Sequence, residues 1–180
     1  MNVLLSGGAG YIGSHAALSL LDSGHSVHII DNLSTGNESL IPKNAFFTKC
    51  NINDEEVISE LIKSNSFDLL MHFAGFIQVE ESVKYPQKYF DNNTENATKL
   101  FETCKNNGLN KIVFSSTAAA YGSVSENKLI DENTNLNPQN PYAESKIKTE
   151  NFLFENKDDY KFIILRYFKD RKSTRLNSSH

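Results

Sequence analysis

The sequence predicts an α/β fold, a doubly wound parallel sheet of about six strands, and three observations predict it. Apolar runs the length of a strand alternate with stretches of helical period; glycines at positions 7, 10 and 13 fill the first strand-to-helix turn; and an aspartate, Asp31, ends the second strand.

Each element follows from its own residues. Val3, Leu4 and Leu5 form an uninterrupted apolar run, as expected of a strand covered on both faces of a parallel sheet. Ile12, Ala16, Ala17, Leu20 and Leu21 then recur with helical period, and Gly24 supplies a left-handed stop after Ser23. Val27 to Ile30 is the second strand and Ala45 to Cys50 a short third. Asn53 is expected to cap a helix whose Val57, Ile58, Leu61 and Ile62 share one face. Phe67 to Ala74 reads as a strand and Pro86 to Asn107 as one continuous helix stopped at Gly108; Ile112 to Ser115 is the next strand. Asn140 and Pro141 suit the N-cap and first turn of a helix ending near Lys157, and Phe162 to Tyr167 is a sixth strand. Helices between successive strands imply right-handed crossovers and the order 3-2-1-4-5-6, a Rossmann sheet. Residues 1–168 are expected to form this domain, and residues 169–180, polar throughout, a tail that buries no face.

Composition narrows the function. With 180 residues, 39% hydrophobic and 22% charged, the chain has the balance of a globular protein. A net charge of -4 excludes a general nucleic-acid footprint, which needs clustered positive charge. No apolar run approaches the ~20 residues of a membrane span, and the N-terminus does not read as a secretory signal, so a cytoplasmic location is the expectation. Cys50 and Cys104 lack metal-ligand spacing and are expected to be reduced, buried residues; His15, His25, His28 and His72 form no metal-ligand pattern either.

The chemistry concentrates in two constellations. In Gly7-Gly8-Ala9-Gly10-Tyr11-Ile12-Gly13, Gly7 permits a sharp exit from the strand, Gly10 lets a pyrophosphate approach the backbone, and Gly13 lets the helix pack against the sheet. The helix start offers unpaired N–H groups to phosphates. Asp31 can accept hydrogen bonds from adenosine ribose hydroxyls and would repel a 2'-phosphate, which favours NAD over NADP. The second constellation is Tyr142 and Lys146, four apart on one helix face, with the hydroxyls Ser115-Ser116-Thr117 at a strand end. An ammonium and a nicotinamide cation beside the phenol would favour phenolate, a proton acceptor.

These motifs resemble the extended short-chain dehydrogenase/reductase family, the NAD-dependent epimerases and dehydratases. The likeness extends through Asp31-Asn32-Leu33-Ser34-Thr35-Gly36, His72-Phe73-Ala74-Gly75, Glu81-Ser82-Val83, Asp91-Asn92-Asn93, Tyr121-Gly122 and Leu165-Arg166-Tyr167-Phe168, covering about residues 1 to 168. It implies NAD as cofactor, a UDP-sugar as substrate, and epimerisation at C4 of a UDP-hexose through a 4-keto intermediate, within galactose metabolism. Tyr11, Ile12 and Asp31 to Gly36 would hold the adenosine and pyrophosphate, and Asn51 and Ile52 would flank the adenine. Phe73, Ala74, Gly75 and Asn92 would line the cofactor path, and Phe168, with Tyr167 before it, would lie by the nicotinamide or sugar. Thr117 would bond the reacting hydroxyl, Tyr142 would act as base, and Lys146 would orient the nicotinamide ribose and lower the Tyr142 pKa.

Some positions depart from the family pattern. Asn51 replaces the usual Asp, Ile77 a Lys found in some epimerases, and Glu80 a common Gly; Lys169 stands where the family has Asn before a C-terminal sugar-nucleotide domain that this sequence lacks. A 4,6-dehydratase would carry Asp-Glu after the catalytic Thr, whereas Ala118-Ala119 follow Thr117 here. Two alternatives stay open: another epimerase or decarboxylase of nucleotide sugars, and a non-catalytic NAD-binding module. The isolated chain is expected to bind NAD with little or no turnover, and whether the parent is a homodimer is left open.

Overall fold

The computed structural model describes residues 1–123 and 129–168. The predicted polar tail lies outside the described residues. Six strands, β1 Asn2–Ser6, β2 Ser26–Asp31, β3 Phe46–Lys49, β4 Leu69–His72, β5 Lys111–Ser115 and β6 Lys161–Leu165, form one sheet in the order β3-β2-β1-β4-β5-β6. Every pairing is parallel, with Ser6 opposite both Ile30 and His72 at the carboxyl edge. The order reverses between β1 and β4, and that is where a doubly wound sheet opens a crevice for ligands.

The first helix, α1 (Tyr11–Asp22), ends as its sequence predicts. Gly24 takes φ +78°, its N–H reaches the Leu21 carbonyl, and the His25 N–H reaches that of Leu20. The second, α2 (Glu55–Ser64), is capped by Asp54 and not by the expected Asn53, because the Asp54 carboxylate is the group that accepts the Val57 N–H. Its apolar face is the predicted one: Ile58 and Ile62 are buried, with Val57 and Leu61 packed beside them.

The continuous helix expected from Pro86 to Asn107 is broken. A short α3 (Val79–Lys84) precedes α4 (Pro86–Tyr89), a π-helical segment spans Phe90–Glu95, and α5 (Asn96–Asn106) completes the run. The π segment is tied to a neighbouring helix, α6 (Pro141–Glu155): the Thr149 hydroxyl donates to the Asn93 carbonyl at 2.7 Å, and the Thr94 hydroxyl to that of Ser145 at 2.9 Å. The Thr149 hydroxyl, from outside the helix, satisfies a carbonyl of the widened turn, while Thr94 of the turn bonds outward to α6; such a distortion is typical of functional sites.

α6 begins as predicted and ends two residues before the expected Lys157. Asn140 Oδ1 accepts the Ala143 N–H at 2.9 Å and Pro141 fills the first turn. Asn140→Ala is expected to lower the unfolding free energy by about 1 kcal/mol in urea titration, the usual worth of such a cap. An unchanged midpoint would mean that tertiary packing alone holds this helix start.

The core lies on both sides of the sheet. Leu4, Ile30, Leu70, Leu100, Phe101, Phe114 and Leu153 pack on one face; Leu5, Ala17, Val27 and Ile29 pack with α1 on the other. His72 is fully buried between Phe101 and Phe114, and its Nδ1 bonds the Ser6 hydroxyl at 2.6 Å. Burial, reinforced by Lys146, pulls its imidazole down to about 3, so it is a neutral core residue at the crevice floor.

Candidate active site

The glycine turn between β1 and α1 is possible only with glycine where the backbones meet. At Gly7 (φ +78°) an added Cβ would lie 2.4 Å from the Ala74 nitrogen, and at Gly13 2.2 Å from the Gly7 carbonyl oxygen. These contacts lock β1, α1 and the exit of β4 together. Gly10 is less crowded, its Cβ position 3.3 Å from the Gly7 carbonyl oxygen, and it precedes the free N-terminus of α1.

A crevice opens beside this turn. Its walls comprise Gly7 and Gly10; Asp31, Asn32, Ser34, Thr35 and Gly36 after β2; Asn51 and Ile52 after β3; and Phe73, Ala74, Gly75 and Asn92 on the β4 side. The bare glycine cradle and this lining suit the pyrophosphate and nucleoside of a dinucleotide. Cys50, Asn53, Phe76 and Asn96 also line it, and the sequence reading missed them. Cys50 and Asn53 flank an expected pair and adjacency alone could have suggested them; Phe76 and Asn96 arrive through the loop after β4 and the helix break, which left no periodic signal.

Asp31 holds its own loop in shape. Its carboxylate accepts the Ala9 N–H at 3.0 Å and the Leu33 N–H at 2.8 Å, and Leu33 sits at φ +60°. A left-handed leucine is a strained conformation, sustained here by those bonds. Tyr11 and Ile12 are exposed at the start of α1 and, like Leu33, are not part of the crevice wall.

The hydroxyl, phenol and amine expected to react come together at the end of β5. The Thr117 hydroxyl lies close enough to the Tyr142 phenol to influence its titration, and it accepts the Ala119 N–H at 3.1 Å. Lys146, only 3% exposed, donates to the Ser115 carbonyl at 3.1 Å and lies 5.0 Å from the Phe114 ring centre. Gly75 joins this group to the crevice, since an added Cβ there would stand 3.1 Å from both Lys146 Nζ and Asn93 Oδ1. Tyr89, fully buried, sets its ring edge-on to Tyr142 at 6.4 Å.

The electrostatics of Tyr142 differ from the expectation. Burial is the largest influence and raises the phenol above its ordinary 10, while the neighbouring Thr117 hydroxyl works downward. The Lys146 ammonium is directed to the Ser115 carbonyl. Tyr167 and Phe168 line a different concavity, beyond β6, where Phe168 stacks on Tyr121 at 6.2 Å.

Burial pulls the Lys146 ammonium from its ordinary 10.5 to about 8, against the opposing attraction of Glu150. The folded value lies below the unfolded one, so the charged amine costs stability at neutral pH and that cost is relieved as pH rises through about 8 toward 10.5. The unaltered chain is therefore expected to gain unfolding free energy relative to Lys146→Met between about pH 7.5 and about pH 9.5, read from urea midpoints. A constant difference between the two proteins would contradict the burial account.

Comparison with known proteins matches the geometry. The profile of the NAD dependent epimerase/dehydratase family matches residues 3–169. A UDP-glucose 4-epimerase of Lactobacillus helveticus is 40% identical over 170 residues, 93% of this chain and 51% of that protein. A UDP-arabinose 4-epimerase of Arabidopsis thaliana is 37% identical over 93% of this chain and 42% of its own length. The crystal structure of the Brucella ovis UDP-glucose 4-epimerase in complex with NAD superposes with a TM-score of 0.89 at 35% identity, covering 93% of this chain and 52% of that one. The chain thus spans about half the length of the curated relatives it matches. A glycine cradle at the sheet's switch point, a carboxylate ending β2, and a Thr-Tyr-Lys cluster at the end of β5 are what the matched profile runs through from end to end, and the chain belongs to the NAD dependent epimerase/dehydratase family.

Proposed function

We propose that the full-length protein interconverts the C4 epimers of a UDP-hexose, UDP-glucose and UDP-galactose, with NAD as cofactor, in cytoplasmic galactose metabolism. The observation that carries the proposal is Lys146 Nζ reaching Gly75, a wall of the glycine-turn crevice, from the helix that also carries Tyr142 and beside the strand end that carries Thr117. Relatives named UDP-glucose 4-epimerase support it.

In this reading Gly7, Gly10, Tyr11, Ile12 and Gly13 hold the pyrophosphate at the start of α1. Asp31 takes the adenosine ribose and repels a 2'-phosphate; Asn32 to Gly36, Asn51 and Ile52 surround the adenosine. Phe73, Ala74, Gly75 and Asn92 line the path toward Lys146, whose ammonium holds the second ribose. NAD supplies a reversible hydride acceptor for the carbon under attack.

Tyr142 removes the C4 hydroxyl proton, directly or through the neighbouring Thr117 hydroxyl. Burial favours the protonated phenol, and the positive charge of an oxidised nicotinamide beside it would favour phenolate. Proton removal is thereby tied to cofactor loading. A 4-keto sugar follows, and its return to the alcohol on the opposite face gives the epimer. The 180-residue chain itself is a binding module in this proposal: it takes up NAD with little or no turnover, because its relatives continue for about as many residues again.

Assaying UDP-galactose against UDP-glucose in the full-length protein tests the reading. Interconversion should fall by about three orders of magnitude in Tyr142→Phe, the middle of the range for loss of a general base. A full-length protein that forms neither product would sink the proposal, and the 180-residue chain matching the parent's rate would refute the module.

A further inference from the structure

Between the crevice and Tyr142 stands a residue that the proposed reaction leaves without a task. Tyr89, on α4, is fully buried, and its ring packs against two others. One is Phe76, a wall of the crevice, at 5.8 Å between ring centres; the other is Tyr142, met edge-on at 6.4 Å.

The far end of that ring is anchored. The Gln78 N–H donates to the Tyr89 hydroxyl at 3.1 Å, and the single hydroxyl proton faces the Gln78 carbonyl and Glu81 Oε2, both at 2.8 Å. Glu81 is held in turn by the Lys88 ammonium at 2.7 Å, which also lies over the Phe76 ring at 4.3 Å. The start of α3 thus fixes Tyr89, and Tyr89 bridges Phe76 to Tyr142. Tyr89 is not itself a base: burial, and after it the bond to Glu81, pushes its phenol up to about 12. The groups that face the Tyr142 phenol are the Tyr89 ring from α4, the Thr117 hydroxyl from beyond β5, and Lys146 on its own helix, whose ammonium is turned to the Ser115 carbonyl.

We propose that Tyr89 is a positioning residue for Tyr142: its ring sets where the phenol stands relative to the crevice wall, and Gln78 with Glu81 holds the ring in place. This role rests on the reading of Tyr142 as the base. The same ring covers one side of the phenol, so its removal both frees Tyr142 and admits water to it.

Tyr89→Leu removes the ring and leaves an apolar side chain, whereas Tyr89→Phe keeps the ring and removes only its anchor. In the full-length protein acting on UDP-galactose, kcat should fall at least about tenfold in Tyr89→Leu and no more than about threefold in Tyr89→Phe, with KM and NAD affinity within about twofold of the parent in both. Tyr89→Met, nearer in volume, carries the same expectation as Tyr89→Leu, and thermal melts identify which variants are folded. A second readout needs no turnover. In the 180-residue chain isotope-labelled at the tyrosine Cζ, the Tyr142 resonance is the one of seven that Tyr142→Phe removes, and its chemical shift follows ionisation. Burial holds that phenol above its ordinary 10. At about pH 10.5 the ringless variant should therefore raise the ionised fraction of Tyr142 at least about twofold, and Tyr89→Phe should leave it unchanged. Parent-like kcat in a folded ringless variant, equal losses in Tyr89→Leu and Tyr89→Phe, or a parent-like Tyr142 titration without the ring would each overturn the proposal. A full-length protein that forms no epimer, with the Tyr142 titration still moved by loss of the ring, would overturn the epimerase reading and support the contact between Tyr89 and Tyr142.

Discussion

Gly7→Ala is expected to weaken NAD binding at least about a hundredfold and to lower the unfolding free energy by about 3 kcal/mol. Two independent effects add there. The left-handed backbone at φ +78° costs about 1–2 kcal/mol for any residue with a Cβ, and that Cβ would lie 2.4 to 2.7 Å from backbone atoms of Phe73 and Ala74. Backbone at the exit of β4 cannot swing aside as a flexible side chain would, so the turn itself must open. Opening it moves the N-terminus of α1 and the crevice wall together. Gly24 supplies the control: its φ is also +78°, but nothing lies within 4 Å of its Cβ position. Gly24→Ala should therefore lose only about 1 kcal/mol of stability, from backbone strain, and leave NAD affinity unchanged. Equal effects of the two substitutions on affinity would show that the close approach at Gly7 has no role in binding.

The second large effect is expected at Glu150. Its side chain is 1% exposed and meets Arg166, itself 14% exposed, in a two-pronged pair: Nη2 to Oε2 at 2.5 Å and Nε to Oε1 at 3.0 Å. The Ser116 hydroxyl also donates to Glu150 Oε1, and Arg166 Nη1 donates to the Tyr121 hydroxyl at 3.0 Å. Glu150→Ala leaves the guanidinium without its counter-charge and Ser116 without its acceptor. About 3–5 kcal/mol should be lost, the usual cost of removing one partner of a buried pair. Glu150→Met with Arg166→Met removes both charges and should recover much of that loss. A double variant as unstable as the single one would mean that packing, not charge, accounts for the pair. The network also bears on the site: Ser116 sits between Ser115, which receives Lys146, and Thr117, which meets Tyr142.

Much of this architecture was legible in the residues. The parallel sheet followed from alternation, because helices between parallel strands admit one handedness of crossover, and six strands with the glycine turn suit the order observed. The glycine turn was legible because only glycine tolerates its backbone approaches, and the Tyr142 phenol, Lys146 amine and Thr117 hydroxyl because helical spacing and a strand end place them on one edge. What was not legible depends on tertiary contact. The break at Phe90–Glu95 lies in a stretch whose helical pattern is continuous, and only the hydroxyls of Thr94 and Thr149 reveal it. Asp54 displaced Asn53 as cap by one position, within the usual ambiguity of a polar run. The direction of the Tyr142 shift was missed because desolvation depends on what covers a group, and a four-residue spacing to Lys146 carries no information about burial.

The account turns on the crevice between β2, β1 and β4 holding NAD with its ribose at Asp31. Isothermal titration of the chain with NAD and then NADP measures this most directly. One NAD per chain is expected, with NADP at least about tenfold weaker because its 2'-phosphate meets the Asp31 carboxylate, and with that difference reduced in Asp31→Ser. Equal affinity for the two, or no saturable NAD binding at millimolar concentration, would contradict it.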